Sequence, residues 1–270
     1  MKKRTGRPTV IPEERRQRIY ELLVENGAVR VSDLSRELGS SETTIRRDLA
    51  RMEAKGLLER THGGSILTRR MSSEPQYDDK DELEVGAKAA IGQAAADLVE
   101  PGEVVFVNSG STNRQVLRCL AMKQGIRVVT NNAAALEGWR VGNELVLSGG
   151  RYRQRSNSYV GPLAGQAVRS MFADRCFIGV DGISLRHGLT TPNEGESEIA
   201  RLMIAGTLGS VVVVADHTKI GTVARFVSAP LERVSALVTD RPLAADFEDA
   251  LAELGVDVVY AGEHPPPSPE

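Results

Sequence analysis

A nine-residue stretch, S-E-T-T-I-R-R-D-L from Ser41 to Leu49, constrains this chain more than any other. Ile45, Leu49 and Met52 recur at three- or four-residue steps, so the stretch predicts a helix with one apolar face. Thr43, Thr44, Arg46 and Arg47 are left on the outside. Upstream, Ile19, Leu22 and Leu23 predict a helix within Pro12 to Asn26, and Val31, Leu34 and Leu38 predict a second, shorter one. Leu38-Gly39-Ser40-Ser41 supplies a helix stop and a tight turn, with Ser40 or Ser41 placed to accept the next helix's free N–H groups. That order is a helix-turn-helix, whose second helix offers its early residues to base edges in a major groove.

The following residues add a wing. Leu57 to His62, then Gly63-Gly64, then Ser65 to Leu67 read as a hairpin turning at the two glycines, with Val29 to Val31 as a short third strand. The predicted DNA contacts are Ser41, Thr43, Thr44, Arg46 and Arg47 on the helix and Arg60 and His62 near the wing tip. Taken singly, an exposed arginine or histidine is equally an ordinary solvated side chain. Charge supports the joint reading. Residues 1–70 hold 16 Lys and Arg against 10 Asp and Glu, a net of +6, while the other 200 hold 18 against 26, a net of −8. A near-neutral chain thus divides into a basic head, suited to a polyanion, and an acidic body. Residues 1–11, with Lys2, Lys3, Arg4 and Arg7, read as a disordered basic arm, an electrostatic tail or a minor-groove reader through Gly6-Arg7-Pro8.

The domain expectation is a winged helix-turn-helix over 12–68, a linker over 69–81, an effector domain over 82–262 and a disordered proline-rich tail over 263–270. With 270 residues there is ample chain for a second buried core. Apolar runs stay well below the roughly 18 residues of a membrane span, and the basic N-terminus never becomes hydrophobic, so a cytoplasmic protein is expected. Cys119 and Cys176 are too few and too isolated for a disulfide framework or a zinc cluster, and nothing calls for a cofactor.

The body alternates short apolar strands (Val104 to Val107, Arg127 to Val129, Glu144 to Leu147, Arg175 to Val180, Ser210 to Ala215, Ala236 to Thr239, Asp257 to Tyr260) with helices. The helices are expected over Leu83 to Leu98, Arg114 to Lys123, Pro162 to Phe172, Glu196 to Gly206 and Leu243 to Leu254. This is the α/β pattern of a mainly parallel, Rossmann-like sheet, with a ligand at the strands' C-terminal ends. Polar loops cluster there. Asn108-Ser109-Gly110-Ser111-Thr112 suits an anion such as phosphate through hydroxyls, backbone N–H groups and a helix N-terminus. Thr130-Asn131-Asn132, Ser148-Gly149-Gly150, Asp181-Gly182 and Asp216 to Lys219 end other strands at the same edge. Arg151, Arg153 and Arg155 either add positive charge nearby or form a solvated loop.

A family resemblance rests on these residues. Arg15, Ile19 and Leu23, followed by Ser41-x-x-Thr44-Ile45-Arg46-Arg47-Asp48-Leu49 and Arg60-x-His62-Gly63-Gly64, resemble the N-terminal domain of the DeoR family of bacterial transcription regulators. The body loops resemble the same family's effector domain, itself similar to sugar-phosphate isomerases of the ribose-5-phosphate isomerase type, so the likeness spans roughly residues 12–262. It implies a regulator of sugar metabolism, usually a repressor, which leaves operator DNA when a phosphorylated sugar binds. It further implies a homo-oligomer, a dimer or tetramer. On that analogy Ser109, Gly110, Ser111, Thr112 and Lys219 hold the phosphate, and Asn131, Gly149, Gly150, Asp181 and Glu198 line the sugar, with Thr130 beside them. Many family members carry Asp where this chain has Asn108, which puts the identity of the sugar in doubt.

Two alternatives stand beside this one. Asp181, Glu198 and Lys219 could perform acid–base chemistry in an isomerase-like enzyme, although such an enzyme has no need of a DNA-binding head. A regulator of this kind could also activate rather than repress.

Overall fold

The structure, a computed structural model, describes residues 11–61, 63–137, 139 and 142–262, with backbone alone at 24–26. Two compact units emerge, one holding the described residues up to Arg69 with Ala244–Ala250, the other Arg70–Leu243 and the chain from Leu251 onward.

In the first unit, α1 (Pro12–Asn26) begins with a proline where no N–H is required, and Glu13 and Glu14 suit the positive end of the helix. Gly27, at φ 73°, ends it and returns its N–H to Leu23 O at 2.8 Å. Then come β1 (Ala28–Arg30), α2 (Val31–Glu37), α3 (Glu42–Ala54), β2 (Leu58–Arg60), β3 (Gly64–Leu67) and β4 (Arg69–Arg70). The first three strands form an antiparallel sheet in the order β1-β3-β2, which completes a winged helix-turn-helix. Ile19, Leu23, Leu34, Ile45, Leu49 and Leu58 close its core.

A charge lies within this apolar packing. Asp48, 2 % exposed, accepts from Arg15 Nε at 2.6 Å and from Arg16 Nη1 at 3.2 Å, tying α3 to α1. The glycines of the wing do not share one role. Gly64 is not in the turn; it opens β3 opposite Arg30, and a Cβ there would lie 2.0 Å from Val29 O. Only glycine permits β1 to pass so close.

The second unit contains α4 (Tyr77–Glu82), α5 (Val85–Asp97), β5 (Val104–Val107), α6 (Ser111–Leu120), β6 (Arg127–Thr130), β7 (Glu144–Leu147), β8 (Arg151–Arg153), β9 (Ser158–Val160) and α7 (Pro162–Arg169). There follow β10 (Ala173–Gly179), β11 (Gly182–Ser184), β12 (Gly188–Thr191), α8 (Glu194–Ala205), β13 (Thr207–Val214), β14 (Thr222–Val223), β15 (Phe226–Ala229), β16 (Ala236–Thr239) and β17 (Asp257–Tyr260), with α9 (Ala245–Glu253) before β17 belonging to the first unit as far as Ala250. Seven strands form one parallel sheet in the order β17-β16-β13-β10-β5-β6-β7. Val105, Val107, Phe177, Val212 and Val214 pack beneath Ile91, Val116 and Leu120 of α5 and α6. Strand order runs outward from β5 to β7 on one side and from β10 to β17 on the other. The chain therefore reverses between β5 and β10, and diverging connections leave a crevice above their C-terminal ends.

Three expectations change. The helix expected from Arg114 begins at Ser111, because Gly110, at φ 124°, turns the chain directly from strand to helix. The strand–helix alternation also passes over two small antiparallel sheets, β8–β9 and β11–β12–β15, whose strands are short and rich in arginine, serine and threonine. Finally, much of the segment read as a linker is part of the second unit. Met71 donates its N–H to Val223 O at 3.0 Å, Glu74 pairs with Arg153, Tyr77 is buried, and Lys80 pairs with Asp181. Its polar composition hides an anchor made of charges.

Removing one partner of a buried ion pair leaves the other uncompensated, so Asp48→Ala should destabilise the first unit by about 3–5 kcal/mol. Hydrogen exchange of the α3 amides reads this directly, with β5 protection as the unaffected reference. Unchanged α3 exchange would show that the pair contributes nothing.

Candidate ligand cleft and nucleic-acid interface

The crevice predicted by the strand order is a polar cleft. Its walls come from Asn108 through Asn113 on one side and Gly179, Val180 and Asp181 on the other, with Tyr77, Lys80, Glu196 and Lys219 completing them. Ser109, Ser111 and Thr112 all lie there, at the start of α6, where unpaired N–H groups and the helix dipole favour an anion. Lys219, in the turn after β13, brings an ammonium to the same cleft, 3.9 Å from Asp216 Oδ2.

Asn108 has a structural use that explains its amide. Its Nδ2 donates to Gly179 O at 3.0 Å, and its Oδ1 accepts from Gly179 N at 2.8 Å. A carboxylate could accept but not donate, so the amide bridges the ends of β5 and β10 in both directions. Asn113, fully buried, donates to Asn108 O at 3.1 Å and holds the loop from behind.

The sugar-lining expectation is met only in part. Asp181 lines the cleft, buried, with Thr191 Oγ1 donating to its Oδ2 at 3.0 Å and Lys80 to its Oδ1. Asn131 lies behind, its Nδ2 on Tyr159 O at 3.0 Å and 3.5 Å from Ser109 Oγ, while Thr130 donates to Val107 O at 2.6 Å inside the sheet. Gly149 and Gly150 are not among the residues lining the cleft; Gly150 packs near Val160 and Ala164. Glu198 points elsewhere and pairs at 3.5 Å with the exposed Arg169. The carboxylate that α8 does bring to the cleft is Glu196, two residues earlier. It accepts from Ser158 Oγ at 3.0 Å and lies 3.5 Å from Arg153 Nη1. Arg153 is thus not a free cation, because Glu74 and Glu196 both compensate it.

Burial pushes the Glu196 carboxyl above its ordinary value of 4.5, against the hydrogen bond from Ser156 and the Lys80 charge. Burial alone would lower the Lys80 pKa, but Asp181 outweighs it through its charge and its hydrogen bond, and the ammonium is held above the usual lysine range. Lys88, buried beneath α4, is lowered by desolvation and by the like charges of Lys219 and Lys80, which Asp216 opposes in part. Burial raises both thiols, Cys119 and Cys176, so neither is an activated nucleophile. Glu84, His217 and Asp240 bring ligand-type atoms within 4.8 Å of one another. His217 Nδ1 is occupied by Asp240 at 2.9 Å and Glu84 is exposed, which makes this a His–Asp pair with an acidic neighbour.

On the first unit, Ser41 caps α3, its Oγ accepting Thr44 N–H at 3.3 Å and meeting Thr44 Oγ1 at 2.9 Å. Ser41, Thr43, Arg46 and Arg47 are exposed, Thr44 is half-buried, and Arg46 pairs with Glu42 at 3.3 Å within its own helix. Arg60 projects from β2, with its N–H on Glu53 Oε1 at 3.2 Å. His62 lies outside the described residues, as do 1–10 and 263–270. Among the described residues no helix is long and apolar enough to cross a membrane.

Comparison with known proteins agrees with both units. The DeoR-like helix-turn-helix domain matches residues 15–70, and the DeoR C terminal sensor domain matches residues 83–241. The chain belongs to the DeoR family of transcription regulators. Together the two matches make it a DNA-binding regulator with a sensor for a small-molecule effector. It is 36 % identical to the HTH-type transcriptional regulator GlpR of Haloferax volcanii, over 93 % of this chain and 98 % of that one. It is 33 % identical to a putative aga operon transcriptional repressor of Escherichia coli O157:H7, over 93 % and 94 %. These relatives are regulators, and the enzyme reading gives way to them. Among solved structures, ribose 5-phosphate isomerase A from Methanocaldococcus jannaschii is 15 % identical over 49 % of this chain and 53 % of that chain, with a TM-score of 0.36. The full-length sorbitol operon regulator SorC from Klebsiella pneumoniae is 14 % identical over 91 % and 100 %, with a TM-score of 0.35. Superpositions this loose carry no argument about the site.

The raised carboxyl gives a pH test. Above its folded pKa, Glu196 carries a stability penalty, which is relieved as pH falls through that pKa toward 4.5. Relative to Glu196→Gln, the wild-type protein should therefore gain melting temperature between pH 7.5 and pH 5. A difference between the two proteins that does not move with pH would mean that Glu196 titrates like an exposed glutamate.

Proposed function

We propose that this regulator is a repressor of sugar-metabolism genes, and that a phosphorylated sugar seated between β5 and β10 releases it from operator DNA. The observation that carries the reading is the convergence, in one cleft, of the α6 N-terminus, the hydroxyls of Ser109, Ser111 and Thr112, and the Lys219 ammonium. Hydroxyls, N–H groups and one lysine together match a phosphate monoester better than they match a neutral sugar. Asp181 and Glu196 supply acceptors for sugar hydroxyls, in place of the Glu198 expected from sequence. Relatives named as repressors, the aga operon protein among them and AccR of Agrobacterium fabrum, support the sign of the regulation.

On the DNA side, Thr43, Arg46 and Arg47 are proposed to reach base edges, Ser41 and Thr44 to shape the start of α3, and Arg60 to meet phosphate. An oligomer, at least a dimer, would read repeated half-sites with paired helices. Arg46→Ala or Arg47→Ala should cost about 1–3 kcal/mol of operator affinity and relax selectivity at one position if the residue reads a base. An equal loss on all sequences, measured by titrating labelled duplexes at fixed salt, would assign that residue to phosphate instead.

Ligands that bind only the folded protein raise its melting temperature. A panel of phosphorylated and free sugars should give a shift with a phosphorylated one, and Lys219→Ala should abolish that shift while operator binding stays intact. No shift with any phosphorylated sugar would end the phosphate reading.

A further inference from the structure

Lys80 is not a residue that a linker would need. It sits on α4, eleven residues beyond Arg69, and both its side chain and its carbonyl are held by cleft residues. Its ammonium donates to Asp181, and its carbonyl accepts from Ser111 Oγ at 3.4 Å and from Lys88 Nζ. Asp81, the next residue, pairs with Arg114 on α6. Lys80 therefore links the segment that leaves the DNA-binding unit to both walls of the cleft.

We infer that Lys80 is an anion-binding residue of the cleft, held in reserve by Asp181, and that an organic phosphate takes over both the Lys80 ammonium and the Ser111 hydroxyl. This rests on the phosphate reading given above. A purely structural ion pair would be expected in the core, with each partner dependent on the other. Here the pair faces the cleft, with Lys80 less enclosed than Asp181, at 21 % and 7 % side-chain exposure. Asp181 does not depend on Lys80 alone, since Thr191 Oγ1 donates to its other oxygen. Once released, its Oδ1 is free to accept a sugar hydroxyl. Ser111 has one hydroxyl proton, which it cannot give to the Lys80 carbonyl and to an anion at once. The carbonyl it leaves keeps Lys88 as a donor. Every group left by the exchange thus retains a partner, and the ligand gains a second cation beside Lys219. The internal carboxylate acts as a competitor that a phosphate must displace.

The test uses the full chain and inorganic phosphate, titrated by calorimetry at constant ionic strength in chloride. Asp181→Asn should bind phosphate at least tenfold more tightly than wild type, because Lys80 has lost its internal counter-ion. The double variant Asp181→Asn with Lys80→Met should lose that gain. A single variant that binds no better than wild type, or a double variant that keeps the gain, would overturn the inference. Should Asp181→Asn not fold, Lys80→Met alone decides, because phosphate protection of the 110–114 amides against hydrogen exchange must fall. Unchanged protection rejects the role of Lys80. A sugar phosphate that stabilises wild type and Lys80→Met equally would remove Lys80 and leave the phosphate cleft standing. If neither phosphate nor any sugar phosphate binds any variant, both readings fall.

Discussion

The reversal of strand order between β5 and β10 is the constraint on which the rest of this molecule depends. A parallel sheet must send every connection back over one of its faces, and only where successive connections diverge does the edge stay open. Here Asn108 directly follows β5 and Gly179 ends β10, and the side-chain amide of the first bonds both ways to the backbone of the second. The crevice is thus stitched at its floor. Its mouth is left to side chains, which is why the chemistry above the floor is polar although the buried strand residues packed on α5 and α6 are valines and Phe177.

Such a cleft concentrates charges that must be compensated when no ligand is present. Asp181, Lys80, Glu196, Arg153 and Glu74 follow one another with alternating sign, and both Lys80 and Glu196 are held above their ordinary titration ranges. Most members have a second partner, as Arg153 has both Glu74 and Glu196 and Asp181 has both Lys80 and Thr191, so the network can exchange one contact without stranding a charge. The same rule operates in the first unit on a smaller scale, where Asp48 has two arginines from one helix. In both units the residues that fasten one element to another are charged, and the apolar residues set the layers.

This division explains what could be read in advance. Ile45, Leu49 and Met52, or Val104 to Val107, show their partners by periodicity alone, and the three helices of the head and the seven parallel strands follow from such patterns. The segment 70–82 has no such period, because its anchors are single charges whose partners, Asp181 and Arg114, lie 101 and 33 residues away. Nothing local in sequence records those distances. Glu196 was nearer to reach. Ala200, Met203 and Ile204 define the inner face of α8, and Glu196, four residues before Ala200 and seven before Met203, is in phase with them. Glu198 is in phase with Arg201 and Leu202 and faces away.

A ligand moves an equilibrium only through contacts that differ between the two states it joins. Hydroxyls and N–H groups fixed at the end of β5 would hold a phosphate in much the same way whatever the rest of the chain is doing, so on their own they supply affinity and little regulation. Lys80 is different in kind. It belongs to the segment that continues into the DNA-binding unit, and on the proposed exchange its partner changes from a protein carboxylate to the ligand. Contacts of that sort carry a coupling energy, and reciprocity requires operator DNA to weaken the ligand by the same factor as the ligand weakens DNA. The internal pair would then lower affinity for the effector in return for making its arrival felt at a segment eleven residues from the head.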